Sequence, residues 1–352
     1  MRLKTLFLIP VLASLLAGCN PFSAPDAMMD EYVDRVARVL DEDPQLSDVP
    51  LADLFPRRRE RRLEMPKLEL DMLDFLSLYG CDLQVVVGER NSGLGRVMQP
   101  VNVLRYELRF INAARDCLPE LEDDKELYAS VKQAREAKLE SLPIAIWNAT
   151  WATEEIEQLF TRTEGPLPMD ASGETVSDLS ADLGLLNDRL AAIESGDMSV
   201  DLGFLGGVHQ RWQAENRMGQ LIKSALLLTT RLNDAADLVE RRLADHPLCL
   251  NGKTNNDADI ARNMFFKIYA GKVQPYLAAV EQARQALVPG FERLGRSQTA
   301  VMPDGFKVYF NRYISQQGPD SLWQQFDEAI ARHTKQWQIL LKQCGMSPGA
   351  AS

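Results

Sequence analysis

Arginines are concentrated in one short segment of this acidic chain, between Pro56 and Pro66. The members of this cluster are Arg57, Arg58, Arg59, Arg61 and Arg62. Guanidinium groups form paired hydrogen bonds with phosphate and carboxylate oxygens, so a dense cluster of them can bind an anion. The cluster predicts either a contact with lipid phosphate or an acidic partner, or a solvated loop whose arginines pair with the chain's own carboxylates.

A second polar segment, residues 89–97, follows the apolar residues 85–87 and contains two glycines. It carries Arg90, Asn91 and Ser92, whose side chains can donate hydrogen bonds. Such a segment is typical of a turn, or of a loop that lines a pocket and offers backbone amides and a guanidinium to an anion. Both interpretations remain open at the level of the sequence.

No assembled set of catalytic residues is visible in the sequence. The three histidines, His209, His246 and His333, are far apart, and no Gly-x-Ser-x-Gly segment occurs. The sequence Gly252-Lys253-Thr254 resembles the end of a phosphate-binding loop, but Pro247 stands where that loop needs its first glycine. We therefore predict no catalytic residue, no metal ligand and no cofactor.

The first residues have the layout of an export signal, with Arg2 and Lys4 before an apolar run from Leu6 to Leu16. The run is too short to span roughly 30 Å of hydrocarbon as a mature helix. It ends in Leu16-Ala17-Gly18-Cys19, which resembles the lipobox of bacterial lipoproteins. We interpret residues 1–18 as a lipoprotein signal peptide and residues 19–25 as a tether.

The lipobox resemblance implies a specific modification of Cys19. In that family the thiol receives a diacylglycerol, the chain is cut before the cysteine, and the new amine is acylated. Asn20 stands where the family's inner-membrane retention signal carries Asp, so the resemblance implies an outer-membrane anchor with the domain on the periplasmic face. Loss of Arg2 and Lys4 with the leader lowers the formal net charge from −11 to −13.

Four cysteines remain when Cys19 is set aside, and an even number in an oxidising compartment predicts two disulfides. Each remaining cysteine follows a predicted helix, and the pairs Cys81 with Cys117 and Cys249 with Cys344 each stay within one half of the chain. We favour these pairs over free thiols. Metal ligation is less consistent with four cysteines that are scattered singly.

Residues 89–97, together with Tyr106-Glu107, resemble segments of a family of uncharacterised proteobacterial lipoproteins. The resemblance spans most of the chain after the leader. It implies no activity, and the lipobox cysteine is the functional residue that it transfers to this sequence.

The composition is that of a folded protein, with 45% hydrophobic and 25% charged residues among 352. The acidic balance argues against nucleic acid as a partner, because binding to the phosphate backbone depends on a broad basic face.

The apolar residues recur at steps of three and four almost throughout the chain, which predicts an all-α protein. We expect a long-helix antiparallel bundle in one or two helical lobes, with an N-terminal half over residues 26–163 and a C-terminal bundle over residues 174–345. The Pro- and Gly-rich segment 163–173 is the predicted linker.

The C-terminal half contains the longest helical patterns, over residues 204–246, 256–288 and 319–343. If the first and third run parallel, Cys249 and Cys344 emerge at the same end. Residues 306–314 predict a short helix between them, or a hairpin that turns at Asp304-Gly305. A further helix is expected over residues 67–79.

Long amphipathic helices offer extended surfaces to other molecules, so the expected function is non-catalytic binding or scaffolding in the cell envelope. The expected partner is an envelope protein or polymer, besides the membrane that holds the lipid. Two other functions remain open, a hydrolase that acts on an envelope lipid or glycan and a carrier that holds a lipid between helices.

Overall fold

A computed structural model describes residues 24–66, 80–93, 97–171, 174–250 and 252–346. The predicted leader 1–18, Cys19 and the predicted helix 67–79 lie outside the described residues. The described residues form an all-helical bundle without strands, which confirms the predicted fold class.

Within the described ranges, the N-terminal part contains six α-helices. They are α1 (Pro25–Leu40), α2 (Arg58–Arg61), α3 (Asp82–Asn91), α4 (Pro100–Cys117), α5 (Lys125–Thr150) and α6 (Glu154–Leu159). Pro143 lies inside α5, so this helix continues seven residues past the proline to Thr150. The Asp124 carboxylate accepts a hydrogen bond from the backbone N–H of Leu127, which satisfies a free donor at the start of α5.

The C-terminal part contains the longest described helix, Arg217–Asp245, and six others. They are α7 (Glu174–Glu194), α8 (Leu205–Trp212), α9 (Arg217–Asp245), α10 (Asn256–Met264), α11 (Gln274–Ser297), α12 (Asp304–Tyr309) and α13 (Leu322–Gln343). A π-helical stretch, Phe265–Val273, joins α10 to α11 without a break, and a second one, Phe310–Ile314, extends α12. The segment 306–314 is thus helical, and the alternative hairpin at Asp304-Gly305 is wrong.

The direction of the long helices follows from their side-chain pairs. Arg332 of α13 contacts Asp237 and Glu240 of α9, and the disulfide Cys249–Cys344 joins the residues that follow the same two helices. Helices α9 and α13 therefore run parallel, and the chain returns between them through α10 and α11.

One large core contains residues from both sides of the predicted linker, from Met28 to Cys344. Leu167 in the linker is itself buried, and its carbonyl oxygen accepts a hydrogen bond from the Tyr276 hydroxyl. A smaller core lies between α3, α4 and the first half of α5, around Phe110. Helix α4 contributes to both cores, since its Leu104 and Leu108 belong to the large core and its Phe110 to the smaller one.

A hydrogen-bonded histidine lies in the centre of the long helices. The Trp337 indole N–H donates to the Tyr32 oxygen at 3.1 Å, and the Tyr32 hydroxyl lies 2.6 Å from Nε2 of His333. An indole can only donate, so the Tyr32 oxygen accepts from Trp337, and the tautomer of the imidazole sets the direction of the bond between Tyr32 and Nε2. Nδ1 has no hydrogen-bond partner among the described residues, and the ring is fully buried.

We predict that His333 makes the fold sensitive to mild acid. Burial holds the pKa of His333 at about 3, below its ordinary value of 6.5. The unfolded chain therefore takes up a proton below pH 6.5 that the folded chain refuses, and stability falls as the pH drops. Between pH 6.5 and pH 5, the free energy of unfolding measured in urea should fall by about 2 kcal/mol more for the native protein than for His333→Gln. Parallel pH profiles for the two proteins would contradict this prediction.

We further predict that Gly219→Ala strongly destabilises the fold. A Cβ atom at Gly219 would overlap the backbone carbonyl oxygen of Thr161, so α9 and the segment after α6 would have to separate. Thermal unfolding should show a loss of about 3 kcal/mol. Gly184→Ala is the matched control, because nothing lies within 4 Å of a Cβ at this exposed helical position. The control should be neutral or up to about 1 kcal/mol more stable.

Candidate functional site

An extended segment, residues 42–57, lies along the helices and leads into the arginine cluster. Its backbone is held by side chains of distant elements rather than by regular secondary structure. The Asp53 N–H donates to the Tyr313 hydroxyl at 2.9 Å, and Arg162 donates to the Ala52 carbonyl oxygen at 2.6 Å. The Phe55 ring stacks on the Phe160 ring at 4.7 Å. The chain therefore reaches the cluster along a defined path.

Arg61 is the buried member of the cluster. Its guanidinium donates to the Glu157 carboxylate at 2.6 Å and to the Pro56 carbonyl oxygen at 2.6 Å. It also donates to the carbonyl oxygens of Trp151 and Thr153, and its side chain is 0% exposed. Burial lowers the pKa of Arg61 to about 10, and Glu157 opposes this shift, so the group stays charged at neutral pH. An outside ligand cannot reach it.

The backbone on either side of Arg61 is fixed by α5. The Trp147 indole N–H donates to the Arg61 carbonyl oxygen at 2.6 Å. Asn148 receives the Leu63 N–H at 2.9 Å and donates to the Leu63 carbonyl oxygen at 2.8 Å. A side-chain amide thus pairs with both backbone groups of one residue, as a neighbouring strand would. No sequence pattern marks Trp147 or Asn148 for this role, because their partners are backbone atoms 85 or 86 residues away.

The other four arginines of the cluster differ in their exposure. Arg58 is half-buried and pairs with Glu154 of α6, which fixes a second point of the turn. Arg57, Arg59 and Arg62 are exposed. Arg57 and Arg62 form no ion pair with any described residue, and Arg59 approaches only Glu60, at 3.9 Å. We call the outward-facing residues Arg57, Arg59 and Arg62 the basic turn.

The basic turn borders an open groove of about 550 Å³ between α2 and α6. The groove is lined by Arg57, Arg58, Arg59, Glu154, Glu157 and Gln158. Two of its carboxylates are occupied by Arg58 and Arg61, so the unpaired charge at its rim is positive. This arrangement can hold an anion by charge-assisted hydrogen bonds.

The second predicted segment, residues 89–97, starts within a helix. Its first residues are the last turn of α3, and the Ser92 hydroxyl donates to the Glu89 carbonyl oxygen at 2.7 Å. The Arg90 guanidinium lies 5.7 Å from the centre of the Tyr106 ring. The Asn91 side chain and residues 94–96 lie outside the described part of the chain. Glu89 to Asn91 are helical because α3 continues through them, and Ser92 and Gly93 form a turn after the helix.

A buried ion pair that the sequence analysis did not predict lies beside Arg90. Lys138 of α5 donates to a Glu107 carboxylate oxygen at 2.8 Å, between the rings of Tyr106 and Phe110. Burial raises the pKa of Glu107, while Lys138 opposes the shift. The second Glu107 oxygen has no partner among the described residues. A single charged residue on the apolar face of each helix was the available signal for this pair.

A larger open groove, of about 760 Å³, lies between α11 and the segment after α12. Its carboxylate, Glu292, accepts hydrogen bonds from Arg296 at 2.6 Å and from the Gln316 side chain at 2.9 Å. Both partners line the same groove, so the Glu292 carboxylate is already occupied by hydrogen bonds. Burial raises the pKa of Glu292, but the hydrogen bonds from Gln316 and Arg296 outweigh it and lower the pKa.

The cysteines form the disulfides Cys81–Cys117 and Cys249–Cys344, the pairs that the sequence favours. In the part of the chain that the structure describes, no three His, Cys, Asp or Glu side chains are grouped as metal ligands. Within those same residues, no helix has both the length and the apolar character of a membrane span.

Comparison with known proteins gives one match. A protein-family model described as "Protein of unknown function (DUF3080)" matches residues 29–348. No curated protein and no solved structure matches the chain.

We predict that Arg61→Met destabilises the protein by about 3 kcal/mol, because the Pro56, Trp151 and Thr153 carbonyl oxygens lose a buried donor. Methionine keeps much of the apolar volume, so the loss reports on the guanidinium. Arg62→Met in the same turn is the control and should change stability by less than about 0.5 kcal/mol. Equal urea-unfolding midpoints for the two variants would show that Arg61 does not hold this segment.

Proposed function

The chain belongs to the DUF3080 family, whose function is unknown, and we propose that it is an outer-membrane lipoprotein that acts by non-catalytic binding on the periplasmic face. In this proposal Cys19 carries the lipid, and the basic turn contacts an acidic group of an envelope component. The observation that carries the proposal is that the arginines of the cluster differ in their contacts and exposure. Arg58 and Arg61 hold the segment in place, while Arg57, Arg59 and Arg62 face outward.

The anchor is supported by the sequence around Cys19 and by the place where the helices begin. Helix α1 starts at Pro25, and six residues at roughly 3.5 Å each give a tether of about 20 Å. A lipid at position 19 would therefore keep the bundle next to the membrane surface. The two disulfides are consistent with an oxidising compartment such as the periplasm.

The basic turn suits an anionic ligand despite the acidic character of the whole chain. Electrostatic screening limits interactions between exposed charges to about 8 Å at physiological ionic strength, so the local arginines determine what binds there. A guanidinium keeps its charge at any physiological pH and donates two parallel hydrogen bonds to phosphate or carboxylate. The internal contacts of Arg58 and Arg61 also reduce the entropy that the turn would lose on binding.

A binding role fits the side chains that the described grooves present. The groove at the basic turn and the groove at Arg296 are lined mainly by arginine, glutamine and glutamate, and the glutamates are paired with neighbouring arginines. Such paired carboxylates recognise or position groups, and the outward arginines remain available for contact. The proposal therefore assigns recognition to this surface and no chemical step.

We predict that the basic turn contacts an envelope component in the cell. A photo-crosslinking amino acid in place of the exposed Glu64, two residues after the turn, should form an adduct in intact cells. The same amino acid in place of Asp116, 67% exposed in another part of the chain, is the control and should not. Changing Arg57, Arg59 and Arg62 to Ser should reduce the Glu64-site adduct at least about tenfold, because three charged donors are lost.

Mass spectrometry of the same purified protein tests the anchor, since Cys19 must carry acyl groups and a new N-terminus. An intact Met1 or an unmodified Cys19 sulfur would contradict the anchoring part of the proposal. Equal adducts with and without the three arginines would contradict the role of the basic turn.

A further inference from the structure

We propose that the occupant of the basic turn is the anionic phospholipid surface itself, and that Leu51 and Leu54 insert into it. This inference rests on the proposed function, because it names the ligand of the same surface. The basic turn is preceded by the two most exposed leucines of the extended segment, Leu51 at 79% and Leu54 at 63% exposure. At this exposure most of the apolar surface of each leucine side chain is in contact with water, which is unfavourable.

The fold fixes which side chains of residues 51–55 are exposed and which are buried. Ala52 and Phe55 are buried, while Leu51 and Leu54 are exposed. The bond from the Asp53 N–H to Tyr313 and the bond from Arg162 to the Ala52 carbonyl oxygen keep the backbone in this orientation. The leucines therefore cannot turn inward without breaking both bonds and the stacking of Phe55.

Helix α12 adds a third apolar residue beside this segment. Its inner face carries Phe306 and Tyr309, whose rings contact the Phe55 ring at 5.7 Å and 5.1 Å. Its outer face carries Val308, which is 62% exposed. The same helix packs against α2, the helix that contains Arg59.

This combination matches the chemistry of a membrane interface better than that of an acidic protein. Interfacial segments place apolar side chains at the level of the acyl chains and arginines at the phosphates, and each basic residue near an anionic surface contributes about fivefold in binding. Glu60 offsets one of the three arginine charges. A binding site of this strength is weak alone, but a lipid on Cys19 would supply a high effective concentration.

The test uses the full-length lipoprotein, inserted through its own anchor into vesicles of phosphatidylglycerol and phosphatidylcholine or of phosphatidylcholine alone. Hydrogen–deuterium exchange then measures the backbone amides of residues 51–62. We expect exchange about tenfold slower on the anionic vesicles, and no slowing on the neutral vesicles or at 0.5 M salt, where screening removes the arginine contribution. The anchor keeps the protein on both kinds of vesicle, so the difference reports on docking alone.

Two sets of variants separate the charged from the apolar contribution. Arg57, Arg59 and Arg62 changed together to Ser should abolish the slowing. Leu51→Ser with Leu54→Ser should reduce it to about twofold or less, whereas Leu250→Ser, at a comparable 71% exposure beside Cys249, should leave it unchanged. Urea unfolding of each variant checks that the fold is retained, as expected for exposed positions.

The outcomes distinguish this inference from the proposed function. If the lipoprotein inserts but residues 51–62 exchange equally on both kinds of vesicle, the phospholipid inference is overturned while the anchored binding role stands. If slowing appears only after an envelope protein fraction is added, the ligand is a protein and the inference is again overturned. If the purified protein carries no lipid and does not associate with vesicles, the proposed anchor itself fails.

Discussion

The buried guanidinium of Arg61 is the contact on which the surface architecture of this protein depends. It lies where three parts of the chain meet, the end of the extended segment, the end of α5 and the start of α6, and it donates to acceptors in all three. A charged group is costly to remove from water unless its donors are satisfied. Here four acceptors satisfy the guanidinium. This part of the chain therefore has to keep the one arrangement in which all four acceptors surround the charge. Because the backbone around Arg61 is fixed in this way, the neighbouring Arg57, Arg59 and Arg62 face outward.

Aromatic packing makes the arrangement around Arg61 rigid. The Phe55 ring lies under the Arg61 guanidinium at 4.6 Å and stacks on Phe160, which in turn contacts Phe291 at 5.1 Å. Trp151 contacts Phe306 at 5.0 Å. These rings link the extended segment to the long helices without regular backbone pairing. A segment of this kind is a precise scaffold for exposed groups, because its buried side chains fix the direction of the exposed ones.

The long helices supply the frame that this segment rests on. Helices α9 and α13 run parallel, and their far ends are joined by Cys249–Cys344. In the middle of the bundle the bonds among Tyr32, His333 and Trp337 connect α1 to α13, and one imidazole nitrogen has no partner in the described part of the chain. A buried network of this kind selects one register of the helices, because any shift would leave further polar groups unpaired. The bundle is thus specified by polar contacts as well as by apolar burial.

The sequence by itself determined the helical class and favoured the two disulfide pairs, because three-four periodicity and the positions of the cysteines can be read along the chain. The parallel course of α9 and α13 entered the sequence argument as a condition, and the tertiary structure decided it. The sequence also marked the arginine cluster, but it could not distinguish Arg61 from Arg59. Only the tertiary structure decided that difference, since three of the four acceptors of Arg61 belong to Trp151, Thr153 and Glu157, about ninety positions along the chain. The same holds for Asn148, which pairs with Leu63, and for the buried Lys138–Glu107 pair. Burial and hydrogen bonding depend on which distant residues the fold brings together, and the type of a residue does not specify its partner.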